Sequence, residues 1–262
     1  MTAPDPVAML AALIQGNRSM RRPRLSFMLC LALAAVAPAW AGHTGVPIGE
    51  IRVNELMSDT QKTGGGIDSS EMVWWLPPQL WAYVMDQQSA GVKGAAKKGS
   101  DAMSKHFQEL FTRHTVVAAL RINNLKDDEI GFTKEADLRS QLRLVDMQGG
   151  VHQPIPADKV DPALKSLLDT MRPLLTSMIG PAGENMQFYV FPGRTADGRL
   201  VADPLGDGKM LIRLDRSEFS FRLPLGGLLP ARRDPANGEI FPGGYRYNPY
   251  TGAQLQAVES GR

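Results

Sequence analysis

Hydrophobic and polar positions change period several times along this chain, and each change marks an element. Met72 to Leu76 is a short apolar run that predicts a strand. Pro77-Pro78 ends it, and Pro78 suits the first position of a helix reaching about Gln87. A second helix is predicted from Ser100, whose hydroxyl caps it, to Arg113, with Met103, Phe107, Leu110 and Phe111 turned inward. From Thr115 the pattern becomes that of strands. Val116 to Leu120 with Ile122 reads as a buried strand ending at Asn123-Asn124. Leu138, Leu142 and Leu144 alternate with Arg139, Gln141 and Arg143, which predicts a strand over Leu138 to Val145, a turn over Asp146 to Gly150 and a partner strand over Val151 to Ile155. Gln187 to Phe191, Lys209 to Asp215 and Phe219 to Leu225 repeat the signal.

One amphipathic helix interrupts these strands. Asp161 is its N-cap, Pro162 its first residue and Gly180-Pro181 its stop, and Leu164, Leu167, Leu168, Met171, Leu174, Leu175, Met178 and Ile179 form a broad apolar face. Pro173 is expected to kink it. The fold class expected is α+β: an antiparallel β-sandwich of Ig-like architecture with an N-terminal helical segment, one inserted kinked helix and a turn-rich C-terminal tail.

Ahead of these elements, residues 20–41 have the order of a secretory signal peptide. Arg21, Arg22 and Arg24 make a basic region, Leu25 to Val36 an apolar one, and Ala39-Trp40-Ala41 a small-x-small cleavage site. The apolar run is shorter than the roughly 20 residues a membrane-spanning helix needs, so no transmembrane anchor is expected after cleavage. The organisation read from the chain is therefore a dispensable extension (1–19), with Met20 a candidate start, and the signal peptide (20–41). A flexible segment ending in Thr63-Gly64-Gly65-Gly66 (42–68) follows, in which Ile51, Val53 and Leu56 offer an edge strand. The remainder reads as an aromatic helical segment (69–114), the β-sandwich with its inserted helix 161–179 (115–230), and the turns and tail (231–262). The expected location is periplasmic or secreted.

Composition changes the picture through the leader. Cys30 is the only cysteine and lies within the leader, so the exported product is expected to be cysteine-free and without disulfides. Cleavage also removes Arg18, Arg21, Arg22 and Arg24 from 29 basic residues and Asp5 from 27 acidic ones. The net charge then falls from +2 to about −1, which gives no general basis for nucleic-acid binding.

Candidate chemistry is sparse. Trp74, Trp75, Trp81 and Tyr83 crowd one segment. They read either as core or as an aromatic platform for a glycan, peptide or interface, with Trp81 expected to be the most exposed. His106 and His114 stand too far apart on one helix to share a metal, and His152 lies beside a turn with nothing local to orient it. Asp197, Asp203 and Asp207 are interleaved with glycines, as solvated turns or as a cation loop. There is no G-x-S-x-G elbow and no G-x-x-x-x-G-K-[ST] phosphate loop, and no cofactor is expected.

At the C-terminus, Asp234-Pro235-Ala236-Asn237-Gly238 and Asn248-Pro249-Tyr250-Thr251-Gly252 share a proline, a glycine and a two-residue gap between polar positions. The pair resembles the two C-P-x-C-G knuckles of a zinc ribbon over about 20 residues, with all four cysteine positions changed, at Asp234, Asn237, Asn248 and Thr251. In that family the four thiolates bind zinc; with all four replaced, no zinc site is expected here. The residues read on their own as tight turns, or as a weak calcium site at Asp234, Asn237 and Glu239.

The function expected is that of an exported, non-enzymatic protein- or envelope-binding or assembly module with a protein or cell-envelope partner. In the assembly version the kinked helix docks on a neighbour. The alternative is an exported hydrolase acting on a glycan or peptide through carboxylates such as Glu71, Asp86 or Asp203. N-terminal sequencing of exported material should return a chain that begins at Gly42; an intact leader on that material would refute cleavage there.

Overall fold

Strand β3 (His114–Asn124), with the apolar run Val116 to Leu120, pairs with three other strands, and the first sheet is organised around it. The computed structural model describes residues 43–89, 105–106, 108–124 and 130–258. The expected extension 1–19, signal peptide 20–41, cleavage site at Ala41/Gly42 and Ser100 cap lie outside them. The expectation of a cysteine-free protein is corrected by the chain itself, which contains Cys30, also outside the described residues. No helix among the described residues is long and apolar enough to cross a membrane.

Val116 to Leu120 of β3 are almost fully buried, as a strand covered on both faces requires. β2 (Ser69–Leu76) pairs along β3 from Ser69↔Asn123 to Leu76↔Val116, and β1 (Gln61–Gly65) pairs with β2. The other edge of β3 is shared: β7 (Gln187–Pro192) takes residues 114–119 and β4 (Ile130–Phe132) takes 122–124. A second sheet has the order β6 (Val151–His152), β5 (Leu142–Val145), β8 (Gly208–Leu214), β9 (Ser217–Leu223). A third is formed by β11 (Ile240–Phe241), β10 (Arg232–Arg233) and β12 (Gln256–Ala257). Every pairing is antiparallel. The result is a mixed α+β fold with three antiparallel sheets, and this pairing does not establish an Ig-like sandwich.

Three expectations change. Residues 42–68 do not read as a loose lead-in, because Val53–Thr60 is helix α1, with Leu56 fully buried, and Gln61–Gly65 is β1. The apolar Val53, Leu56 and Met57, three and four apart, follow the helical period rather than that of an edge strand. Gly64 serves a close approach, since a Cβ there would stand 2.8 Å from the ring of Phe219 on β9. Position 115 is not a domain boundary, because β2 of the aromatic segment is hydrogen-bonded to β3 along its length. The strand expected over 138–145 divides into helix α3 (Glu135–Gln141) and β5: Leu138 and Leu142, four apart, fit a helix as well as a strand. Glu135 and Asp137 in the first turn and Arg139 in the last suit the helix dipole.

Helix α2 (Pro78–Ser89) begins at the proline foreseen, and α4 (Pro162–Ile179) begins at Pro162 with the Asp161 carboxylate accepting the Ala163 N–H at 2.9 Å. Leu164, Leu167, Leu168 and Met171 of α4 are buried in the common core. Trp75 on β2 meets Phe221 on β9 edge to face, with ring centres 6.1 Å apart, which joins the first sheet to the second.

Charge joins the sheets as well. Arg121, directly opposite Glu71 in the β2–β3 register, donates Nε–H to the buried Glu71 carboxylate at 2.7 Å and Nη1–H to Gln141 Oε1 at the end of α3 at 2.7 Å. Its Nη2 reaches the Leu214 carbonyl at the end of β8. Removing the guanidinium strands a buried carboxylate, so Arg121→Ala should cost about 3–5 kcal/mol in urea or thermal unfolding. The paired apolar replacement Glu71→Leu with Arg121→Met should cost clearly less, and equal losses in the two variants would show that charge pairing is not the joint.

Candidate functional site

The aromatic platform expected at Trp74, Trp75, Trp81 and Tyr83 is not on the surface. β2 lies between two strands, and Trp74 and Trp75 are almost fully buried, Trp74 donating its indole N–H toward Thr60 Oγ1 at 3.3 Å. Trp81, expected at the surface, is 3% exposed and stacks on Phe111 at 4.7 Å. Tyr83 is half-buried against the same core. These four side chains act as core.

The hydrolase candidates also disperse. Glu71 is committed to Arg121, Asp86 is exposed on α2, and Asp203 caps a turn by accepting the Leu205 N–H at 3.0 Å. Asp197 accepts from Thr195 and Arg199 within its own turn, and Asp207 pairs with His43 at 3.0 Å. His114 donates Nδ1–H to the Leu110 carbonyl. His152 does have an orienting partner, which the sequence reading missed: Asp146, six residues earlier, accepts from Nε2–H at 2.8 Å across the β5–β6 turn. Asp146 also accepts the Gln148 and Gly150 N–H groups, at 2.9 and 2.8 Å.

At the C-terminal turns the donor set fits neither metal. Asp234 Oδ1 accepts the Ala236 N–H and Oδ2 accepts from Asn248 Nδ2; Asn237 Oδ1 accepts the Glu239 N–H; Thr251 Oγ1 accepts the Ala253 N–H. The four positions that correspond to the ribbon's cysteines carry no thiolate or imidazole, and calcium's six to eight oxygens are not assembled. No group of three or more His, Cys, Asp or Glu residues with metal-binding geometry occurs among the described residues.

Among the described residues the fold builds a cleft of about 640 Å³ between α1, the 225–230 segment and the tail. Arg52, ahead of α1, donates to the carbonyls of Leu229 and Gly226 at 2.9 and 2.8 Å and to Glu55 at 2.6 Å. Gly227 lets the helix settle on this segment, for a Cβ there would lie 2.5 Å from the Leu56 nitrogen. Its N–H is donated to Asp59 Oδ2 at 3.2 Å. Glu55 and Asp59, one turn apart, form the floor: Glu55 Oε1 lies 2.6 Å and Asp59 Oδ2 3.4 Å from the point a Gly226 Cβ would occupy, so the two carboxylates are within about 6 Å of each other. Arg222, Arg232, Tyr245, Arg246 and Tyr247 line the walls. Arg232 donates to the Gly243 carbonyl, whereas Arg222 and Arg246 are exposed and pair with no other side chain among the described residues. Tyr245 is 46% and Tyr247 58% exposed, and Tyr250 on the neighbouring turn is 84% exposed. The arginine and tyrosine alternation Tyr245-Arg246-Tyr247 was the available signal in the sequence.

Burial alone would raise the Asp146 carboxyl, but the His152 side chain and the Gly150 and Gln148 amides outweigh it and hold the group below the ordinary carboxylate range. Its contribution to stability is therefore complete above about pH 4 and lost as pH falls through the depressed value. Asp146→Asn should cost about 1–3 kcal/mol at pH 7 and flatten the acid limb of a plot of stability against pH. An unchanged acid limb would show that Asp146 does not set it.

Comparison with known proteins finds no family model, curated protein or solved structure that matches the chain, so the reading of this cleft rests on its own geometry.

Proposed function

We propose that this chain is an exported, non-enzymatic binding or assembly protein that engages a protein or cell-envelope partner through the cleft beside α1. The observation that carries the reading is the exposure of Tyr245 and Tyr247 beside Arg222 and Arg246 on the cleft walls, two exposed arginines that pair with no other side chain among the described residues. Tyrosine and arginine are among the side chains enriched where proteins bind one another, because each offers a large contact area together with a directed polar group. Arg222 and Arg246 favour a partner that presents carboxylates or other anionic groups. The leader-like order of residues 20–41 supports export, and the absence of any spanning helix among the described residues is compatible with it.

A second reading draws on one specific observation, the Glu55 and Asp59 pair on the cleft floor. Retaining glycosidases place two carboxyl groups about 5–5.5 Å apart, a separation within the bound found here. Against it, both carboxylates already accept hydrogen bonds, from Arg52 and from the Gly227 N–H, as floor-fixing groups do.

The two readings separate experimentally. A photo-crosslinker at position 247 should trap a defined envelope component in cells, and Arg222→Glu with Arg246→Glu should reduce that adduct about tenfold while a probe at Ser140, on α3, traps nothing comparable. Turnover of purified cell-wall glycan or peptide that is abolished by Glu55→Gln or Asp59→Asn would replace the binding reading with the hydrolase.

A further inference from the structure

The two C-terminal turns are the same device built twice. Each begins with an Asx-Pro pair and ends with a glycine at positive φ, 76° at Gly238 and 73° at Gly252. In each, the glycine N–H returns to the carbonyl of the Asx residue, Gly238 to Asp234 at 2.9 Å and Gly252 to Asn248 at 2.8 Å. The Asx Oδ1 accepts the N–H two residues on, from Ala236 at 2.8 Å and from Tyr250 at 2.8 Å. The Asx N–H donates to the carbonyl just past the glycine, Asp234 to Glu239 and Asn248 to Ala253, both at 2.8 Å. Backbone and side chain therefore hold each Asx residue in one orientation before the two turns meet.

They meet at those residues. Asp234 and Asn248 are 1% and 2% exposed, and Asn248 Nδ2 donates to Asp234 Oδ2 at 2.6 Å. The pairing is complementary as it stands: a carboxylate can only accept, and the amide supplies the donor while its own Oδ1 serves its turn. Between these two residues the chain runs through β11 and then Gly243 to Tyr247, the wall of the cleft.

We infer that the buried Asn248 to Asp234 hydrogen bond is a metal-independent clasp, closing the paired turns where a zinc ribbon would place its ion and fixing the Tyr245 to Tyr247 wall between them. Both Asp234 oxygens are engaged, one by its own turn and one by Asn248, so a cation would have to break the closure in order to replace it. An ion is also unnecessary for the backbone, because each turn satisfies its own N–H groups and the third sheet ties β10 to β11 and β12. Only the wall's role in recognition rests on the binding function proposed above; the clasp itself does not.

The test is hydrogen–deuterium exchange of the full chain at pH 7. Asn248→Asp sets two carboxylates against each other in a buried space and should speed exchange across residues 232–257 about tenfold or more, with the β2 and β3 amides unchanged. The exchanged pair, Asp234→Asn with Asn248→Asp, restores one donor and one acceptor and should return exchange to within about threefold of wild type. Zinc, calcium and EDTA should each leave the wild-type pattern unmoved. Wild-type exchange in Asn248→Asp, or an exchanged pair as labile as the single variant, would overturn the clasp. Slowing by zinc or calcium, or acceleration by EDTA, would overturn its metal independence. Partner crosslinking at position 247 is a separate readout, so loss of that adduct with exchange unchanged bears on the binding function and not on the clasp.

Discussion

A buried carboxylate needs a cation, and Glu71 on β2 has one directly across the ladder in the part-buried guanidinium of Arg121 on β3. That pair constrains much else. It holds β2 and β3 in one register, since a slip by one residue would put the two charges on opposite faces of the sheet. The same guanidinium reaches Gln141 at the end of α3 and the Leu214 carbonyl at the end of β8, so the second sheet is tied to the first by directed hydrogen bonds as well as by apolar contact. The edge-to-face meeting of Trp75 with Phe221 supplies that apolar contact. Hydrophobic burial is indifferent to direction, while a buried ion pair is not.

The cleft follows from a different constraint, the close approach of backbones. Arg52 and Gly227 bring α1 down onto the 225–230 segment, and Gly243 packs against Leu229 where a Cβ would stand 2.6 Å from the leucine Cβ. The bare backbones of Gly226 and Gly244 leave space there, into which the Glu55 and Asp59 carboxylates face from one side and the tyrosines and arginines of the tail from the other. The cleft's arginines divide cleanly: Arg52 and Arg232 are held by carbonyls, while Arg222 and Arg246 are exposed.

Legibility in the sequence followed the strength of local signals. The boundary between β2 and α2 could be read because Pro77-Pro78 ends one and starts the other, and α4 could be read from Asp161-Pro162. β9 showed a strict alternation of buried Phe219, Phe221 and Leu223. The 138–145 stretch misled because apolar residues four apart satisfy both periods, and 53–65 misled because glycine predicts looseness when its function is to let Phe219 approach. The tryptophans illustrate a further limit: an aromatic cluster has the same sequence signature in a core and on a platform. Only the placement of β2 between β1 and β3, and of Trp81 against Phe111, decides for core.

By itself the sequence determined the α+β class, most strand positions, the capped helix α4, the leader-like order of residues 20–41 and the twin Asx-Pro turns, all of which depend on neighbours within a few residues. Tertiary structure alone decided which strands share β3, that Arg121 joins the sheets, that His152 has Asp146 as its partner, and that Asp234 meets Asn248 fourteen residues on. It also decided that the exposed aromatic chemistry belongs to Tyr245 and Tyr247 rather than to Trp75 and Trp81. The reason is physical: propensity, capping and turn chemistry act over one or two turns of chain, whereas burial and side-chain pairing depend on distances that only the closed fold sets.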